Sequence, residues 1–116
     1  MTFDEYQKQA ATTDMLGDGS SMTDANNPAY VAKILGLAGE AGEVAEKYKK
    51  IIRDKKGVVS SNDKAEITKE LGDVLWYVAM LAAYLGVPFS KVASGNLDKL
   101  SSRKQRGVQR GSGDNR

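Results

Sequence analysis

Apolar residues recur at helical spacing along the chain, and this periodicity limits the fold more than any other feature of the sequence. From Pro28 to about Arg53 they follow one another mostly three or four positions apart, as on one face of a helix. The apolar positions there are Val31, Ile34, Leu35, Ala38, Ala41, Ala45, Tyr48 and Ile52. The alternation that marks half-buried strands is absent, and Val58-Val59 is too short to form a strand. The pattern predicts an all-α fold.

Capping signals predict where the first two helices begin. Thr2 and Glu5 have the spacing of a capping box, which predicts a short helix near the N-terminus. Residues 13–27 are rich in Gly, Ser, Asp and Asn, a composition typical of a loop. Asn27 followed by Pro28 predicts the N-cap and the first residue of a second helix.

Similar signals bound a third helix, which we expect from Lys64 to Leu85. Asp63, with Glu66 three residues later, predicts its N-cap. Gly86 and the nearby Pro88 predict its end, because glycine closes helices and proline cannot continue them.

A fourth helix is expected from residue 89 to about 103. This divides the chain into an all-α domain over residues 1–103 and a basic, disordered tail over residues 104–116. A chain of 116 residues buries only about two-thirds of its unfolded surface. The apolar run from Val74 to Leu85 has more apolar faces than one small core needs. We therefore predict a four-helix, bundle-like fold that is completed by assembly into a homodimer or homotetramer.

The chain has neither cysteine nor histidine, and this excludes several classes of chemistry. Without cysteine the chain has no disulfides, no thiolate metal sites and no cysteine nucleophile. Other classes are excluded in the same way, namely Ser-His-Asp catalysis, His-ligated zinc and di-iron bundles, whose motifs need histidine. Any catalysis must use carboxylates, lysines, arginines, hydroxyls or amides.

Basic residues are concentrated at the C-terminal end, where residues 101–116 hold five Lys and Arg against one Asp. The rest of the chain is mildly acidic, unlike a nucleic-acid-binding domain, so we expect no nucleic-acid partner. The longest apolar run has 12 residues, too short to cross a bilayer, and the N-terminus lacks the apolar segment of a signal peptide. We expect no membrane partner and a cytoplasmic location.

Two pairs of carboxylates are the clearest candidates for a functional site. Glu40 and Glu43 are three residues apart, as are Glu70 and Asp73, so each pair lies on one helix face. A solvated surface explains either pair taken alone, but their apolar neighbours place them at the edge of the core. Four negative charges there repel one another unless some are protonated or a cation lies among them. Oxygen ligands without His or Cys favour Mg²⁺ or Mn²⁺ over Zn²⁺.

Four glycines interrupt the same predicted helices, namely Gly36, Gly39, Gly42 and Gly72. Each costs a helix up to about 1 kcal/mol relative to alanine. Close packing between helices explains them, and so does access of a ligand to the carboxylates. The sequence leaves both explanations open.

Basic and amide side chains form a second group of candidates. Asn96, Lys99 and Arg103 share one face of the fourth helix, where their donors suit phosphate or a base edge. An exposed polar face explains them equally well. Lys47 follows Glu43 by one turn, where it either pairs with that glutamate or reaches a phosphate.

Three blocks of sequence resemble the MazG-like nucleotide pyrophosphohydrolases, a family of the all-α NTP pyrophosphatase superfamily. They are LGLAGEAGEVAEKYKK from Leu35, KELGDVLWYVAMLAAYLGV from Lys69 and NLDKLSSR from Asn96. The family signature is an ExxE pair and an ExxD pair on successive helices, here separated by 26 residues, and then a helix that bears Asn, Lys and Arg. The resemblance covers about residues 28–103 and leaves the basic tail outside.

The resemblance implies Mg²⁺-dependent hydrolysis of a nucleoside triphosphate between its α- and β-phosphates, which yields a monophosphate and pyrophosphate. It also implies that four acids hold the metal and carry out catalysis, while four other side chains contact the substrate. The acids are Glu40, Glu43, Glu70 and Asp73, and the substrate contacts are Lys47, Asn96, Lys99 and Arg103. One of the carboxylates would accept the proton of the attacking water.

Alternatives remain open at this point. A relative specific for dUTP or dCTP, or for phosphoribosyl-ATP, would carry the same acids. A non-enzymatic helical dimerisation module with a basic tail would need no metal and would tolerate Glu40→Gln. For Trp76, Tyr77 and Tyr84 we expect a place in the core or in an interface, with stacking on a base as the alternative for the first two.

Overall fold

Four helices and no strands make up the computed structural model, which describes residues 1–116. The predicted all-α fold class is confirmed. The ends of the helices differ from the predicted ends by up to three residues. The helices are α1 (Phe3–Ala11), α2 (Pro28–Lys55), α3 (Ser61–Tyr84) and α4 (Phe89–Gln105).

The N-caps of α1 and α2 are those that the sequence predicts. Thr2 Oγ1 accepts a hydrogen bond from the Glu5 N–H at 3.1 Å, and Glu5 Oε2 accepts one from the Thr2 N–H at 2.6 Å. Asn27 Oδ1 accepts a hydrogen bond from the Ala29 N–H at 2.9 Å, with Pro28 as the first helical residue. These side chains satisfy backbone N–H groups that have no partner inside the helix.

The start of α3 differs from the prediction. The prediction made Asp63 the N-cap and Glu66 its partner in the capping motif. Ser60 is the N-cap instead, since its Oγ accepts from the Asp63 N–H at 3.1 Å and Asp63 Oδ2 accepts from the Ser60 N–H at 2.9 Å. Lys55 donates to Asp63 at 2.6 Å, and this bond, with those from Ser60, lowers the pKa of Asp63 to about 2. The predicted cap was wrong because Ser60 begins the same motif one turn earlier. Glu66 accepts a hydrogen bond from Lys69 at 2.8 Å.

The N-terminus of α4 is capped from another helix. Its N-cap residue, Pro88, makes no side-chain cap. Asp4 of α1 accepts hydrogen bonds from the N–H and the hydroxyl of Ser90, both at 2.8 Å. Gln7 accepts one from the Phe89 N–H at 3.2 Å. The cap of α4 therefore depends on a residue that lies 86 positions earlier in the chain.

A tight turn between α3 and α4 sends the two helices in different directions. Gly86 has a φ of 70°, and the N–H groups of Gly86 and Val87 donate to the carbonyls of Ala83 and Ala82. This motif ends α3 where the sequence predicts. The two helices are bent by 103° at the turn. As a result α4 packs on α1 and α3 but not on α2, which packs along α3.

The core of the chain is small, with 12 of 116 residues buried. One part joins α1, α3 and α4 through Ala10, Ala79, Met80 and Phe89. A second part joins α2 and α3 through Ala29, Tyr30 and Tyr84. No single helix is both long and apolar enough to cross a membrane, and α3 with α4 reaches that length and composition only as a bent pair.

A buried ion pair ties the loop after α1 to α2 and α3. Asp14 Oδ1 lies 2.8 Å from Lys33 Nζ, and their side chains are 0% and 4% exposed. The Tyr84 hydroxyl and the Leu16 N–H also donate to the Asp14 carboxylate. Burial raises the pKa of Asp14, but the hydrogen bonds outweigh burial and leave the pKa below its usual value. The Lys33 ammonium lies 5.2 Å from the centre of the Trp76 ring.

Candidate metal centre

The antiparallel pairing of α2 and α3 brings the two acid motifs together. Gly36, early in α2, lies against Tyr77, late in α3. Lys55, at the end of α2, bonds to Asp63, at the start of α3. The ExxE and ExxD motifs lie between these two contacts, on facing parts of the helices. The 26 residues between the motifs are thus the rest of α2, a turn and the first part of α3.

Three of the four predicted metal ligands form what we call the acid cluster. Glu40, Glu70 and Asp73 each place a carboxylate oxygen within 4.8 Å of the others. Glu40 and Glu70 are half-buried, and Asp73 is exposed. Glu43 is exposed and lies outside the cluster, one turn along α2 from Glu40. The structure therefore unites one acid of the first motif with both acids of the second.

Like charges dominate the electrostatics of the acid cluster. The pKa of Glu40 is raised, first by burial and then by repulsion from Asp73, Glu70 and Glu43. One ion pair offsets this repulsion, with Lys47 Nζ at 3.4 Å from Glu70 Oε1. Three carboxylates thus share a single ammonium group.

The donor set of the acid cluster fits a hard divalent cation. Its three ligands are carboxylate oxygens, and the chain has no histidine or cysteine that would favour zinc. Mg²⁺ usually keeps several waters and is held by one or two carboxylates together with substrate phosphates. Because Asp73 is exposed, the cluster has an open side where water or phosphate oxygens can complete the coordination.

The glycines of the two motifs have different surroundings. A Cβ on Gly36 would lie 2.2 Å from the Tyr77 ring, so this glycine is required for close packing of α2 on α3. A Cβ on Gly39, Gly42 or Gly72 would have nothing within 4 Å. Packing between the helices of one chain therefore explains only the first glycine. The other three lie on open surface in the two helices that carry the acids.

The aromatic residues of α3 have packing roles. Trp76 donates its indole N–H to Thr13 Oγ1 at 2.9 Å, and its ring lies edge-on to that of Tyr77, with the ring centres 5.0 Å apart. Tyr84 is completely buried. These contacts favour packing over stacking on a base for Trp76, and the burial of Tyr84 agrees with its predicted place in the core.

The predicted substrate residues on α4 make no hydrogen bond or ion pair with the acid cluster. Lys99 Nζ and Arg103 Nη2 are 2.9 and 3.0 Å from a carboxylate oxygen of Asp114, which reaches them from the tail. Arg103 is buried and its Nε has no hydrogen-bond partner, whereas Asn96 is exposed. The tail thus folds back along α4 in this structure. The division of the chain at residue 103, with a disordered tail after it, stays a prediction.

Two acids that contact the predicted site residues, Glu66 and Asp114, were not themselves predicted as site residues. Glu66 Oε2 lies 3.8 Å from Lys47 Nζ. Its position four residues before Glu70 puts it on the same helix face, so the sequence does hold a signal for it. Asp114 contacts α4 only because the tail turns back along this helix. No pattern of neighbouring residues in the sequence predicts that contact.

A cleft of about 310 Å³ adjoins the acid cluster on the side of Lys47. Three lysines and three acids line it, so its lining has no net charge. The lining residues are Lys47, Lys50, Ile51, Asp54, Lys55, Asp63, Glu66 and Ile67. A second cleft of about 430 Å³ lies between α1 and the turn that joins α3 to α4. None of the three clustered acids lines either cleft.

Comparisons with known proteins cover the same segments. The family model of the MazG nucleotide pyrophosphohydrolase domain matches residues 30–108, which include both acid motifs and all of α4. The gene 37 protein of Mycobacterium phage L5 is 48% identical over 116 residues, which are 100% of each of the two proteins. No solved structure matches the chain.

Proposed function

This chain belongs to the MazG nucleotide pyrophosphohydrolase family, and from that premise we propose that it hydrolyses (d)NTPs between the α- and β-phosphates. The products are a (d)NMP and pyrophosphate, the cofactor is Mg²⁺, and Mn²⁺ is its substitute. The observation that carries the proposal is the acid cluster, in which three carboxylates meet with one ammonium group to balance them. The carboxylates of such a cluster repel one another unless one is protonated or a cation lies among them, and the open side at Asp73 favours a cation.

We assign metal binding to Glu40, Glu70 and Asp73, and a flanking catalytic role to Glu43. When bound, Mg²⁺ neutralises the triphosphate and stabilises charge on the leaving pyrophosphate. Asp73 is exposed to solvent. The substrate would therefore approach the acid cluster from the side of Asp73. Glu43 lies outside the acid cluster, where its carboxylate is available to orient the attacking water and to take its proton.

Four further side chains are proposed to contact the substrate. Lys47 lies 3.4 Å from the acid cluster, within reach of a phosphate oxygen held there. Asn96, Lys99 and Arg103 would bind phosphate or the nucleoside from α4. In this structure Asp114 contacts Lys99 and Arg103 as a phosphate oxygen would, so binding through α4 requires that the tail carboxylate leave.

Assembly into a homodimer or homotetramer is part of the proposal. Large apolar residues on α2 remain exposed, including Leu35 at 67% and Ile52 at 68%, and α4 does not cover this helix. Burial of such surface stabilises by roughly 25 cal/mol per Å². Sedimentation at micromolar concentration should show at least a dimer, and a stable monomer would contradict this part. The cytoplasmic location and the absence of membrane and nucleic-acid partners stay predictions.

A substrate panel tests the proposal. The protein is incubated with each NTP and dNTP, and with phosphoribosyl-ATP, in the presence of Mg²⁺, Mn²⁺ or EDTA, and release of pyrophosphate is measured. We expect monophosphate and pyrophosphate in equal amounts, with release abolished by EDTA and by Glu70→Gln. Glu46→Gln is the matched control, because Glu46 lies on α2 and pairs only with Lys49 and Lys50.

The same panel separates the alternatives. Turnover of dUTP, dCTP or phosphoribosyl-ATP alone would identify one of the narrower relatives. No release from any substrate in the presence of metal would overturn the proposed activity and favour a helical dimerisation module.

A further inference from the structure

Lys47 is held loosely between two acids, and this distinguishes it from the other buried or partly buried cations. Its ammonium lies 3.4 Å from Glu70 Oε1 and 3.8 Å from Glu66 Oε2. Both separations exceed the roughly 2.7–3.2 Å of a good N–H···O hydrogen bond. By contrast Lys33 lies 2.8 Å from Asp14 with its side chain almost fully buried. The Lys47 side chain is 33% exposed, so it has room to move.

The two acids beside Lys47 differ in what else they contact. Glu70 belongs to the acid cluster, whose members repel one another. Glu66 lies one turn earlier on α3 and already accepts a hydrogen bond from Lys69 through its other oxygen, at 2.8 Å. Lys47 can therefore leave Glu70 for Glu66 without becoming unpaired, and the acid cluster then loses its only internal counterion.

We propose that Lys47 is an exchangeable counterion of the acid cluster: it neutralises Glu70 while the site has no metal and moves toward Glu66 when a divalent cation binds. The inference rests on the proposed function, because it concerns the same metal site. The physical cause is charge repulsion, since an ammonium at 3.4 Å from Glu70 competes with a dication for the same carboxylate. Glu66 supplies the alternative partner for Lys47. Together Lys47 and Glu66 position the metal ligand Glu70, and they weaken metal binding in the absence of substrate.

The affinity for Mn²⁺ alone, without nucleotide, tests this inference. It is measured by titration calorimetry and by the electron paramagnetic resonance signal of free Mn²⁺. Lys47→Met should bind Mn²⁺ about three- to tenfold more tightly than wild type, because a competing charge has been removed. Lys47→Arg keeps the charge and should remain within about twofold of wild type. Lys50→Met is the matched control from the same helix and cleft, and it should leave the affinity unchanged.

A double-variant cycle tests the role of Glu66. Glu66→Gln should weaken Mn²⁺ binding in the wild-type background, because Lys47 then has only Glu70 as a partner. In the Lys47→Met background the same change should have almost no effect, since the two residues act as one unit. Equal weakening in both backgrounds would show a direct effect of the Glu66 charge and would overturn the exchange. Circular dichroism of each variant confirms that it is folded.

The failure of this inference is distinguishable from the failure of the proposed function. If Mn²⁺ binds and Glu70→Gln abolishes binding, but Lys47→Met fails to tighten it, only the counterion role of Lys47 is overturned. If wild type and Glu70→Gln bind Mn²⁺ equally, or neither binds it, the metal site and the counterion role are both overturned.

Discussion

Two polar clusters lie on the same pair of helices and are built in opposite ways. Near the start of α2 the Asp14 carboxylate is fully buried and receives hydrogen bonds from Lys33, Tyr84 and a backbone N–H. Midway along α2 the three carboxylates of the acid cluster share the loosely held ammonium of Lys47. In the first cluster the Asp14 carboxylate has all its partners within the chain. In the second cluster three carboxylates face one ammonium group, so negative charge is in excess. Clustered charges of one sign are stabilised by a counterion, and we propose that the counterion of the second cluster is a metal ion from outside the chain.

The largest expected effect is on catalysis and comes from the acid cluster. Glu70→Gln and Asp73→Asn should each lower pyrophosphate release by about 100-fold or more, because metal stabilisation of the transition state supplies several kcal/mol. The free energy of unfolding without metal should stay the same or rise, because repulsion has been relieved. Pyrophosphate assays and urea unfolding in EDTA measure the two effects. Variants that lose stability but keep activity would show that these acids are structural.

The buried pair of Asp14 and Lys33 should respond in the opposite way, with a loss of stability and little change in metal binding. Lys33→Met leaves the Asp14 carboxylate buried without its counterion, which should lower the free energy of unfolding by about 3–5 kcal/mol. Urea unfolding measures this loss. The affinity of the folded fraction for Mn²⁺ should stay close to that of wild type, since Lys33 makes no contact with the acid cluster. A stable Lys33→Met protein would mean that the buried pair contributes little to folding.

The glycines give a smaller and more local contrast. Gly36→Ala should lower the free energy of unfolding by about 1–3 kcal/mol, because the added methyl group meets the Tyr77 ring. Gly39→Ala should raise it by up to about 1 kcal/mol, because alanine favours the helix and has open space there. Thermal unfolding of the two variants side by side tests the contrast. A destabilised Gly39→Ala protein would show that a second copy of the chain packs on this surface.

The smallest effect is the pH dependence of stability. Asp14 and Asp63 have pKa values below the ordinary value of Asp, with that of Asp63 at about 2. Their contribution is therefore complete above the usual Asp pKa of about 3.9 and is lost on acidification, for Asp63 as the pH falls toward about 2. Glu40 has a raised pKa, so its charged carboxylate lowers the free energy of unfolding at neutral pH. Protonation of Glu40 on acidification removes this destabilisation. Urea unfolding across this pH range should show a shallower acid slope for Asp63→Asn than for wild type, and an equal slope would contradict the assignment.

Local features of the fold could be predicted from the sequence. The caps at Thr2 and Asn27 depend on residues two or three positions away, so a short window contains them. The same window misled at α3, where Ser60 and Asp63 both start a capping motif. The reciprocal hydrogen bonds between Ser60 and Asp63 identify Ser60 as the N-cap, and Asp63 also binds Lys55 across the turn.

The rest depended on contacts between distant parts of the chain. Asp14 and Lys33 lie 19 residues apart, and no pattern in the sequence marks them as a pair. Gly36 and Gly39 look alike in the sequence, and only the position of Tyr77 gives them different roles. The acid motifs were predicted as four equivalent ligands, whereas in the folded chain three of them meet and Glu43 lies outside the acid cluster.

The cap that α1 provides to α4 also sets an order of events during synthesis. Asp4 is among the first residues to be made, yet its partner Ser90 follows 86 positions later. α2 and α3 are neighbours in the sequence and can pair while the chain is still growing, and α1, which packs on α3, can join them before α4 is complete. The last step is therefore the docking of α4 onto α1 and α3, where Asp4 caps it. A bulky fusion at the N-terminus would interfere with this last step and leave the pairing of α2 and α3 intact.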